Sequence, residues 1–488
     1  MKDRLNKTRK GLWAIIAVLI LSSCSQQQNW PQFRGPESNM VAASTHLPDS
    51  WGEGKNVKWT YKEEGAGWSS PIVFGNKVFI VSAVPEKITS KAAEDFGPPP
   101  QGKREGEDNH GADNDHKGGP PVNGNGPGPN PPSVQQSPMA GPPVDTTYKQ
   151  DVYRWEVICL DKNSGKELWK NIAYKGNPSI GKNPQNTYAS ETPVTDGKRL
   201  YVYFGMTGLF CYDLDGKLLW KKNLGAYETQ MGWGTGSSPV VFNDILYIQN
   251  DNEVSSYVLA LDAANGTEKW KAAQNEKTTY TTPFIWKNKL RNELVTLGKA
   301  ARSYDLINGK LLWELKIGGE QCVPSPVGDR EHLYLGNAGG RESKGSLMSV
   351  KAGAEGDITP TAEAAANNWI EWSLPDAGLG NSSPLLYKGY IYCLGGRDGI
   401  LTTITSETGK VVYRQKIGGV GAVWSSAWAH DDKISFFDEK GVTRTVKAGE
   451  KFEMLSENTL NDKFWASVAV TGDAYIFKGV EKIYFVKQ

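Results

Sequence analysis

One short stretch of sequence recurs along the chain and limits what the chain can fold into. Four copies share an apolar strand, an Asp, a Gly and a Trp four residues after the Gly, as in "LDKNSGKELWK" from Leu160. The Asp can accept hydrogen bonds from the amides that open a turn, and the Gly supplies the positive φ that a tight hairpin needs. Each copy therefore predicts two antiparallel strands joined by a hairpin. The repeat residues are Asp161, Gly165 and Trp169; Asp213, Gly216 and Trp220; Asp262, Gly266 and Trp270; and Asp305, Gly309 and Trp313.

A second motif precedes these copies and marks the start of another strand pair. It reads "SSPIVFGNKVFIV" from Ser69 and recurs in full or degraded form, with a turn dipeptide such as GN, DG or ND inside it. Pro is tolerated at the first position of a strand, where its missing N–H costs least. The two motifs together make one unit of four antiparallel strands, which is the content of a propeller blade. The eight predicted strand openings are Pro71, Pro193, Pro239, Pro283, Pro326, Pro384, Ala427 and Val468.

The strand count also predicts how the ring closes. The last motif, at Val468, leaves room for only three strands before the chain ends. Near the other end, "NVKWTYK" over residues 56–62 carries a closing-strand aromatic, Trp59, without a hairpin before it. An N-terminal strand that completes the C-terminal blade would remove the free edges of the ring. The sequence thus predicts an all-β fold, an eight-bladed β-propeller of four-stranded antiparallel blades over residues 51–488.

The first residues predict export and a lipid anchor. Five basic residues and one acid precede an uncharged apolar run over residues 11–21, which is the layout of a secretory signal over residues 1–23. Eleven residues are too few to cross a bilayer as a stable helix. "LSSC", which ends at Cys24, resembles the lipobox of bacterial lipoproteins, in which cleavage leaves the cysteine as a lipid-modified N-terminus. We therefore expect a lipid on Cys24 and an N-terminal tether over residues 24–50.

One long segment does not fit the repeat. Residues 96–145 are rich in Pro, Gly and Asn and nearly lack bulky apolar side chains, so they cannot bury enough surface to become ordered. We interpret them as a disordered surface loop within the first blade. His110 and His116 lie among aspartates and could chelate a cation, but the segment lacks the spacing of a calcium loop.

The repeats resemble a known family. The text "LDxxxGKxxW" resembles the pyrroloquinoline-quinone-like (PQQ-like) propeller repeat over nearly the whole mature chain, and "WPQFRGPES" from Trp30 and "NTYASETPVTDGKRLYVYFG" from Asn186 resemble lipoproteins of that type. Such lipoproteins are similar to the outer-membrane assembly factor BamB, a non-enzymatic scaffold, and more distantly to quinoprotein alcohol dehydrogenases. The resemblance specifies the fold strongly and the function poorly.

The quinoprotein resemblance leaves an enzyme as the alternative. It implies PQQ held over the channel, with Ca²⁺ bound by carboxylate and amide oxygens and an Asp as the base. Such enzymes typically carry two adjacent cysteines against the quinone, and many carry a CxxCH haem site, whereas this sequence has neither. We therefore expect no catalytic residue, no metal site and no cofactor, and a PQQ-dependent dehydrogenase with calcium stays open as the alternative.

Aromatic residues precede several of the strand openings. Loops that enter the first strand of each blade surround one mouth of a propeller channel, where exposed aromatic rings suit the recognition of peptide strands, glycans or a flat cofactor. The competing interpretation is that these rings only cap the packing of the channel. The predicted rim consists of Trp68, Tyr188, Trp233, Tyr280, Trp424 and Trp465.

These observations together predict a binding protein. The formal net charge is +1, and signal cleavage would remove four more positive than negative charges, so a slightly acidic mature chain gives no reason to expect nucleic acid as a partner. We expect a monomeric, lipid-anchored propeller of the bacterial cell envelope, on the outer membrane facing the periplasm. It would act as a scaffold for envelope proteins or peptide segments, in outer-membrane protein assembly. A carbohydrate-binding propeller remains open beside the dehydrogenase.

Overall fold

The computed structural model describes residues 29–43, 46–88, 147–318, 322–339, 344–361 and 367–488. The predicted signal peptide, Cys24 and the predicted loop over residues 96–145 lie outside these ranges. Among the described residues, no helix is long and apolar enough to cross a membrane.

The described strands form eight sheets, which we number as blades in chain order. Blade 1 contains β2 (Ile72–Phe74), β3 (Lys77–Lys87), β4 (Val152–Asp161) and β5 (Glu167–Gly176); blade 2 contains β6 (Val194–Thr195), β7 (Arg199–Phe204), β8 (Gly208–Asp213) and β9 (Leu218–Lys222). Blade 3 contains β10 (Val240–Phe242), β11 (Ile245–Asn250), β12 (Ser256–Asp262) and β13 (Glu268–Gln274); blade 4 contains β14 (Phe284–Lys287), β15 (Asn292–Leu297), β16 (Ala300–Asp305) and β17 (Leu311–Lys316).

The second half of the ring repeats the arrangement. Blade 5 contains β18 (Val327–Gly328), β19 (His332–Leu335), β20 (Leu347–Lys351) and β22 (Ile370–Leu374), and β21 (Gly356–Asp357) lies in its third connection; blade 6 contains β23 (Leu385–Tyr387), β24 (Tyr390–Leu394), β25 (Ile400–Thr405) and β26 (Val411–Lys416). Blade 7 contains β27 (Trp428–His430), β28 (Lys433–Phe437), β29 (Val442–Lys447) and β30 (Met454–Thr459); blade 8 contains β31 (Ala469–Thr471), β32 (Ala474–Lys478), β33 (Lys482–Lys487) and β1 (Val57–Lys62). Short 3₁₀ helices span Thr147–Gln150 and Gln230–Gly232.

The predicted fold and its closure are confirmed. Each innermost strand begins directly after one of the eight predicted strand openings, as β2 does after Pro71. The sheet of blade 8 has the order β1-β33-β32-β31, so the N-terminal strand completes the C-terminal blade, with Thr60 opposite Tyr484. The ring is therefore held by antiparallel pairing between the two ends of the propeller.

The core lies between neighbouring blades. The second and third strands of a blade are buried on both faces, as in β7 and β11, because the adjacent blades cover them. The outermost strands, such as β5 and β9, are largely exposed. One buried apolar cluster joins blades 1 and 2, and another joins blades 2 and 3. Stability thus depends on each blade having two neighbours.

The repeat tryptophans connect one blade to the next. Trp220 of blade 2 donates from Nε1 to the carbonyl of Ala263 in the turn of blade 3, and its ring lies where a side chain on Gly266 would stand. Trp59, Trp169, Trp270 and Trp372 make the same pair of contacts with the following blade.

Trp313 departs from this arrangement. Its Nε1 donates to the carboxylate of Glu293 in its own blade, at 2.8 Å. The following blade has a long third connection instead of the tight Asp-Gly turn, and β21 in that connection pairs in parallel with β17. The turn that would receive the indole N–H is therefore missing from blade 5, and an inserted strand covers Trp313 instead.

A ring of hydroxyl groups surrounds the channel. The residue directly before each predicted strand opening is Ser or Thr. In most blades the backbone N–H of this Ser or Thr donates a hydrogen bond to the side-chain hydroxyl of the equivalent residue in the next blade. These hydrogen bonds join adjacent blades next to their innermost strands, which do not pair with each other. These bonds run from Ser70 to Thr192, Thr192 to Ser238, Ser238 to Thr282, Thr282 to Ser325, Ser325 to Ser383 and Ser426 to Ser467.

Residues 29–43, which we call the channel segment, differ from the predicted tether over residues 24–50. Trp30 pairs with Val73 of β2 through two backbone hydrogen bonds of 2.8 Å, and residues 40–42 pair with Ala429 of β27. Because β2 and β27 are innermost strands, the segment lies inside the channel. Its side chains explain the difference: Trp30 and Met40 are apolar and fully buried there, which removes their surface from water.

Candidate functional site

The strand directions define two faces of the propeller. Loops that enter the first strands and loops between second and third strands share one face, which we call the upper face. Turns between first and second strands and between third and fourth strands share the opposite, lower face. All six predicted rim residues lie in loops that enter first strands and therefore belong to the upper face.

Arg34 closes the upper end of the channel. Its Nη1 donates to the carbonyl oxygens of Ser325 at 3.3 Å and Pro326 at 2.6 Å, and its Nη2 donates to the carbonyl of Pro384 at 2.7 Å. These carbonyls directly precede β18 and β23. The side chain is only 2% exposed, and burial lowers the pKa of the guanidinium to about 9. Arg34 is not among the predicted site residues, although the "WPQFRGPES" text contains it.

Two of the predicted rim residues form a stacked pair. The rings of Trp68 and Trp465 lie 4.5 Å apart between centroids with an interplanar angle of 16°. The Trp68 Nε1 donates to the carbonyl of Gln185 at 2.8 Å. Both rings are half-buried. The pair bridges the loops that enter blades 8 and 1, and it therefore lies over the closure of the ring.

Trp424 lies in the loop that enters blade 7. Its Nε1 donates to a carboxylate oxygen of Glu439 at 3.2 Å, and the guanidinium of Arg397 lies 5.6 Å from its ring centroid. The half-buried indole thus has a carboxylate at its N–H and a cation over its ring, which places apolar and polar groups side by side on the upper face.

Of the other three predicted rim residues, one is buried in the interior and two are half-buried at the rim. Tyr188 lies beneath the rim because its ring packs against Tyr153 and Trp155, which bury it. Trp233 is half-buried, and its carbonyl accepts a hydrogen bond from Asn186 at 2.7 Å. Tyr280 is half-buried with its hydroxyl enclosed, and burial raises the pKa of that phenol.

Two of the carboxyl groups that are buried below the upper face have a pKa near neutrality. Glu191 accepts a hydrogen bond from the backbone N–H of Gly205, and Asp251 accepts hydrogen bonds from Gln249 at 2.6 Å and Thr279 at 2.8 Å. Burial raises the pKa of each carboxyl to about 7. A pKa near neutrality suits proton transfer, but enclosed groups of this kind have no contact with a substrate bound outside. We therefore assign them no catalytic role.

A cavity of about 750 Å³ opens on the lower face beside the channel segment. Its wall is formed by the channel segment and by the turns between the first and second strands of several blades, with residues that include Phe74, Asp196 and Phe242. The carboxylate of Asp196 is already bonded to Arg199 at 3.0 Å and to Tyr201 at 2.8 Å. The cavity therefore offers a mainly apolar wall.

The residues present do not match a site for PQQ with Ca²⁺. In the described part of the chain, no group of three or more His, Cys, Asp or Glu side chains could hold a metal ion. The upper end of the channel is filled by Arg34, whose Nη atoms are bonded to backbone carbonyls. The cysteines of the propeller are free and separately buried, at Cys159, Cys211, Cys322 and Cys393.

Comparison with known proteins supports the fold. A family model described as outer membrane protein assembly factor BamB matches residues 154–323. The tetrathionate hydrolase of Acidithiobacillus ferrooxidans is 23% identical over 285 residues, which cover 54% of this chain and 50% of that protein. The chain thus matches about half the length of this curated relative.

The chain is similar to two solved structures to different degrees. BamB from Moraxella catarrhalis superposes with a TM-score of 0.50 at 12% identity, over 68% of this chain and 88% of that one. A europium-containing methanol dehydrogenase gives a TM-score of 0.46 at 10% identity, over 86% and 89% of the two chains. The first likeness shows the fold alone, and the second is too low to carry an argument.

Proposed function

We propose that the chain, a β-propeller with PQQ-like repeats that is similar to BamB, is a scaffold protein of the bacterial cell envelope. In this proposal Cys24 carries a lipid that holds the protein on the outer membrane, facing the periplasm. The upper face binds envelope proteins or peptide segments during outer-membrane protein assembly. The family match supports the assembly role, and the lipobox-like text before Cys24 supports the anchor.

The upper face carries this proposal. The stacked pair of Trp68 and Trp465 and the ring of Trp424 are half-buried in the loops of blades 7, 8 and 1. Met231, in the loop between blades 2 and 3, is 83% exposed. Val254, in the loop between β11 and β12 of blade 3, is also exposed. The upper face thus carries half-buried aromatic rings on one side of the ring and exposed apolar side chains on the other, which is the composition of a protein-binding surface, and binding energy concentrates on such residues.

Peptide binding tests the upper face directly. The probe is a synthetic ten-residue peptide with alternating aromatic and polar residues, the pattern of a strand in an outer-membrane barrel. We expect saturable binding to the full chain in detergent, followed by tryptophan fluorescence and calorimetry. Trp465→Ala and Met231→Glu should each weaken binding roughly tenfold, because both remove apolar contact area from the surface.

A matched control separates binding from stability. Ile307→Ala removes an exposed apolar side chain from the lower face and should leave peptide binding unchanged. Met231→Glu changes a side chain that supports no packing, so its melting temperature should equal that of the unaltered protein. The proposal would fail if Trp465→Ala and Met231→Glu both bound the peptide normally. A lower melting temperature of Trp465→Ala in that case would show that the rings only cap the packing of the channel.

The two alternatives are tested in the same protein. Titration with PQQ and Ca²⁺, followed by reduction of a dye with a panel of alcohols and sugars, should give neither saturable quenching nor turnover. Turnover would replace the scaffold by a quinoprotein dehydrogenase. Saturable binding of a glycan that Trp465→Ala abolishes, without any binding of peptide, would replace it by a carbohydrate-binding propeller.

A further inference from the structure

We propose that the lower face of the propeller lies against the membrane surface and that the upper face points away from it. The proposal rests on the lipid anchor at Cys24 that is part of the proposed function. It names the bilayer headgroup region as the partner of the lower face. Three observations carry it: where the chain enters the fold, how far the anchor can reach, and which side chains the lower face exposes.

The chain enters the fold on the lower face and close to the propeller axis. Asn29 accepts a hydrogen bond through its Oδ1 from the N–H of Gly75, at 2.8 Å, and Gly75 lies in the turn between β2 and β3. The next residue, Trp30, pairs with Val73 of the innermost strand. Arg34 then fixes the segment at the other end of the channel, so the entry point cannot slide.

The anchor can reach only a short way from this point. Five residue steps separate Cys24 from Asn29. A fully extended chain covers about 3.3–3.6 Å per residue, so the lipidated residue lies within about 18 Å of the entry point.

That reach is too short for the upper face to contact the membrane. A six-residue strand such as β7 spans about 20 Å between the two faces, and three strand spacings add about 14 Å from the innermost strand to the outer edge. A chain that starts near the axis of the lower face would have to cover both distances to bring the upper face to the bilayer. An anchor at Cys24 therefore excludes the orientation in which the upper face meets the membrane, and it allows the lower face to do so.

The lower face also exposes side chains that suit a headgroup layer. Ile307 is 76% exposed in the turn between β16 and β17, and Leu290 is 63% exposed in the turn between β14 and β15 of the same blade. Lys310 and Lys289, which is paired with the carboxylate of Glu331, flank them and are exposed. Apolar side chains with flanking lysines bind the interface between headgroups and acyl chains, where the lysines meet anionic lipids.

Site-directed labelling tests the orientation. The full lipidated chain is reconstituted into vesicles of phosphatidylethanolamine and phosphatidylglycerol that contain a lipid with a nitroxide on its headgroup. A fluorophore is attached through Ile307→Cys or Leu290→Cys on the lower face, or through Met231→Cys or Val254→Cys on the upper face. The native cysteines of the propeller are buried and should not react. We expect severalfold stronger quenching at the two lower-face positions than at the two upper-face positions.

The controls distinguish failure of the orientation from failure of the anchor. The intact mass of the purified protein and its sedimentation with vesicles report the lipid on Cys24, and Cys24→Ala should abolish both signals. If the protein carries no lipid, the proposed anchor and the proposed orientation are both wrong. If it is lipidated and sediments but the upper-face labels are quenched equally or more, the orientation alone is wrong and the scaffold proposal is untouched.

Discussion

At the residue scale, the buried carboxyl groups of Glu191 and Asp251 distinguish the upper face from an ordinary loop surface. Burial disfavours the charged form of a carboxyl, so the pKa of each rises to about 7. Their hydrogen bonds to Gly205 and Gln249 act in the opposite direction but do not offset the burial. Nothing in the local sequence separates these two acids from others in loops, because only the packing of neighbouring blades encloses them.

These carboxyls should make the protein less stable as the pH rises toward neutrality. A carboxyl whose folded pKa lies above its unfolded value contributes stability that is complete below the unfolded pKa, near 4, and is lost as the pH rises through about 7. The free energy of unfolding should fall between pH 5 and pH 7.5, by up to about 3 kcal/mol for each carboxyl. Urea unfolding across this range measures the slope.

Variants identify the groups responsible for that slope. Asp251→Asn and Glu191→Gln should each flatten the pH dependence because the amide cannot ionise. Glu228→Gln changes an exposed acid on the same face and should leave the slope as it is. A slope in the double variant Glu191→Gln with Asp251→Asn that was as steep as in the unaltered protein would contradict the prediction.

Arg34 should contribute strongly to stability as a single side chain. Its guanidinium holds three carbonyl oxygens at the top of the channel, and Arg34→Met would leave these buried acceptors without donors. Each hydrogen bond to a charged group contributes about 1.5–3 kcal/mol, so we expect a loss of roughly 3 kcal/mol or more in urea unfolding. Arg330→Met removes an exposed guanidinium and should cost less than about 0.5 kcal/mol. Equal losses for the two variants would show that Arg34 does not hold the channel closed.

At the element scale, the repeat hairpin combines a turn, a bulge and a docked tryptophan. The pairing of β12 with β13 shifts register between Ala260 and Leu261, and the same shift occurs between Cys159 and Leu160 in blade 1. The small residue before the shift lies opposite the repeat tryptophan, as Ala260 does opposite Trp270. A bulge at this place turns the ring toward the next blade. One local motif in the sequence therefore specifies both a hairpin and a contact between blades.

Two glycines with nearly the same backbone conformation allow the contribution of the tryptophan contact to stability to be distinguished from the cost of backbone strain. Gly266 has φ +73°, and a Cβ there would lie 2.8 Å from the ring of Trp220. Gly54 has φ +74°, and no atom lies within 4 Å of the position that a Cβ would take there. Both alanine variants carry the cost of a left-handed backbone, about 1–2 kcal/mol. Gly266→Ala should cost a further 1–3 kcal/mol, roughly, because the indole must move.

Two measurements check this difference. Urea unfolding compares the free energies of the two variants, and the emission maximum of tryptophan should shift to longer wavelength only in Gly266→Ala as Trp220 becomes more exposed. Equal losses of stability without a shift in emission would mean that the docked ring contributes nothing beyond the turn.

At the scale of the whole molecule, the ring closes through a buried ion pair as well as through β1. Lys478, at the end of β32, donates to the carbonyl of Val81 at 2.7 Å and to the hydroxyl of Ser69 at 3.2 Å, and its Nζ lies 3.4 Å from the carboxylate of Glu63. These partners belong to blade 1 and to the segment that follows β1. Burial raises the pKa of Glu63 and lowers that of Lys478, while each charge favours the other. The first and last blades are thus joined by a contact that neither end can make alone.

Breaking this pair should destabilise the closed ring. Lys478→Met leaves the buried Glu63 without its cation and should cost about 3–5 kcal/mol in urea unfolding. Lys487→Met removes a half-exposed lysine of the same blade from its pair with Asp473 and should cost under about 1 kcal/mol. The double variant Glu63→Leu with Lys478→Met should recover part of the loss, because no isolated charge remains. No recovery in the double variant would argue against a coupled pair.

Local signals determined most of the fold. The strand openings, the Asp-Gly turns and the closing strand at Trp59 could be predicted because each is a short local pattern, and repetition of the first two along the chain fixes the architecture without knowledge of distant contacts. The rim aromatics could be placed on the upper face for the same reason. Their exposure could not, since Tyr188 is buried by rings of β4 that lie far from it in sequence.

The tertiary structure alone decided the features that depend on distant residues. The text around Arg34 predicts a tether because it has no strand pattern, yet the channel supplies carbonyl acceptors from residues about 290 and 350 positions away. Trp313 follows the repeat in sequence, but the blade after it lacks the turn that would receive its N–H. The sequence by itself determined the units and their number, because these are local. The filled channel and the buried charges arise only when distant parts of the chain meet, because their energies come from contacts that no local pattern encodes.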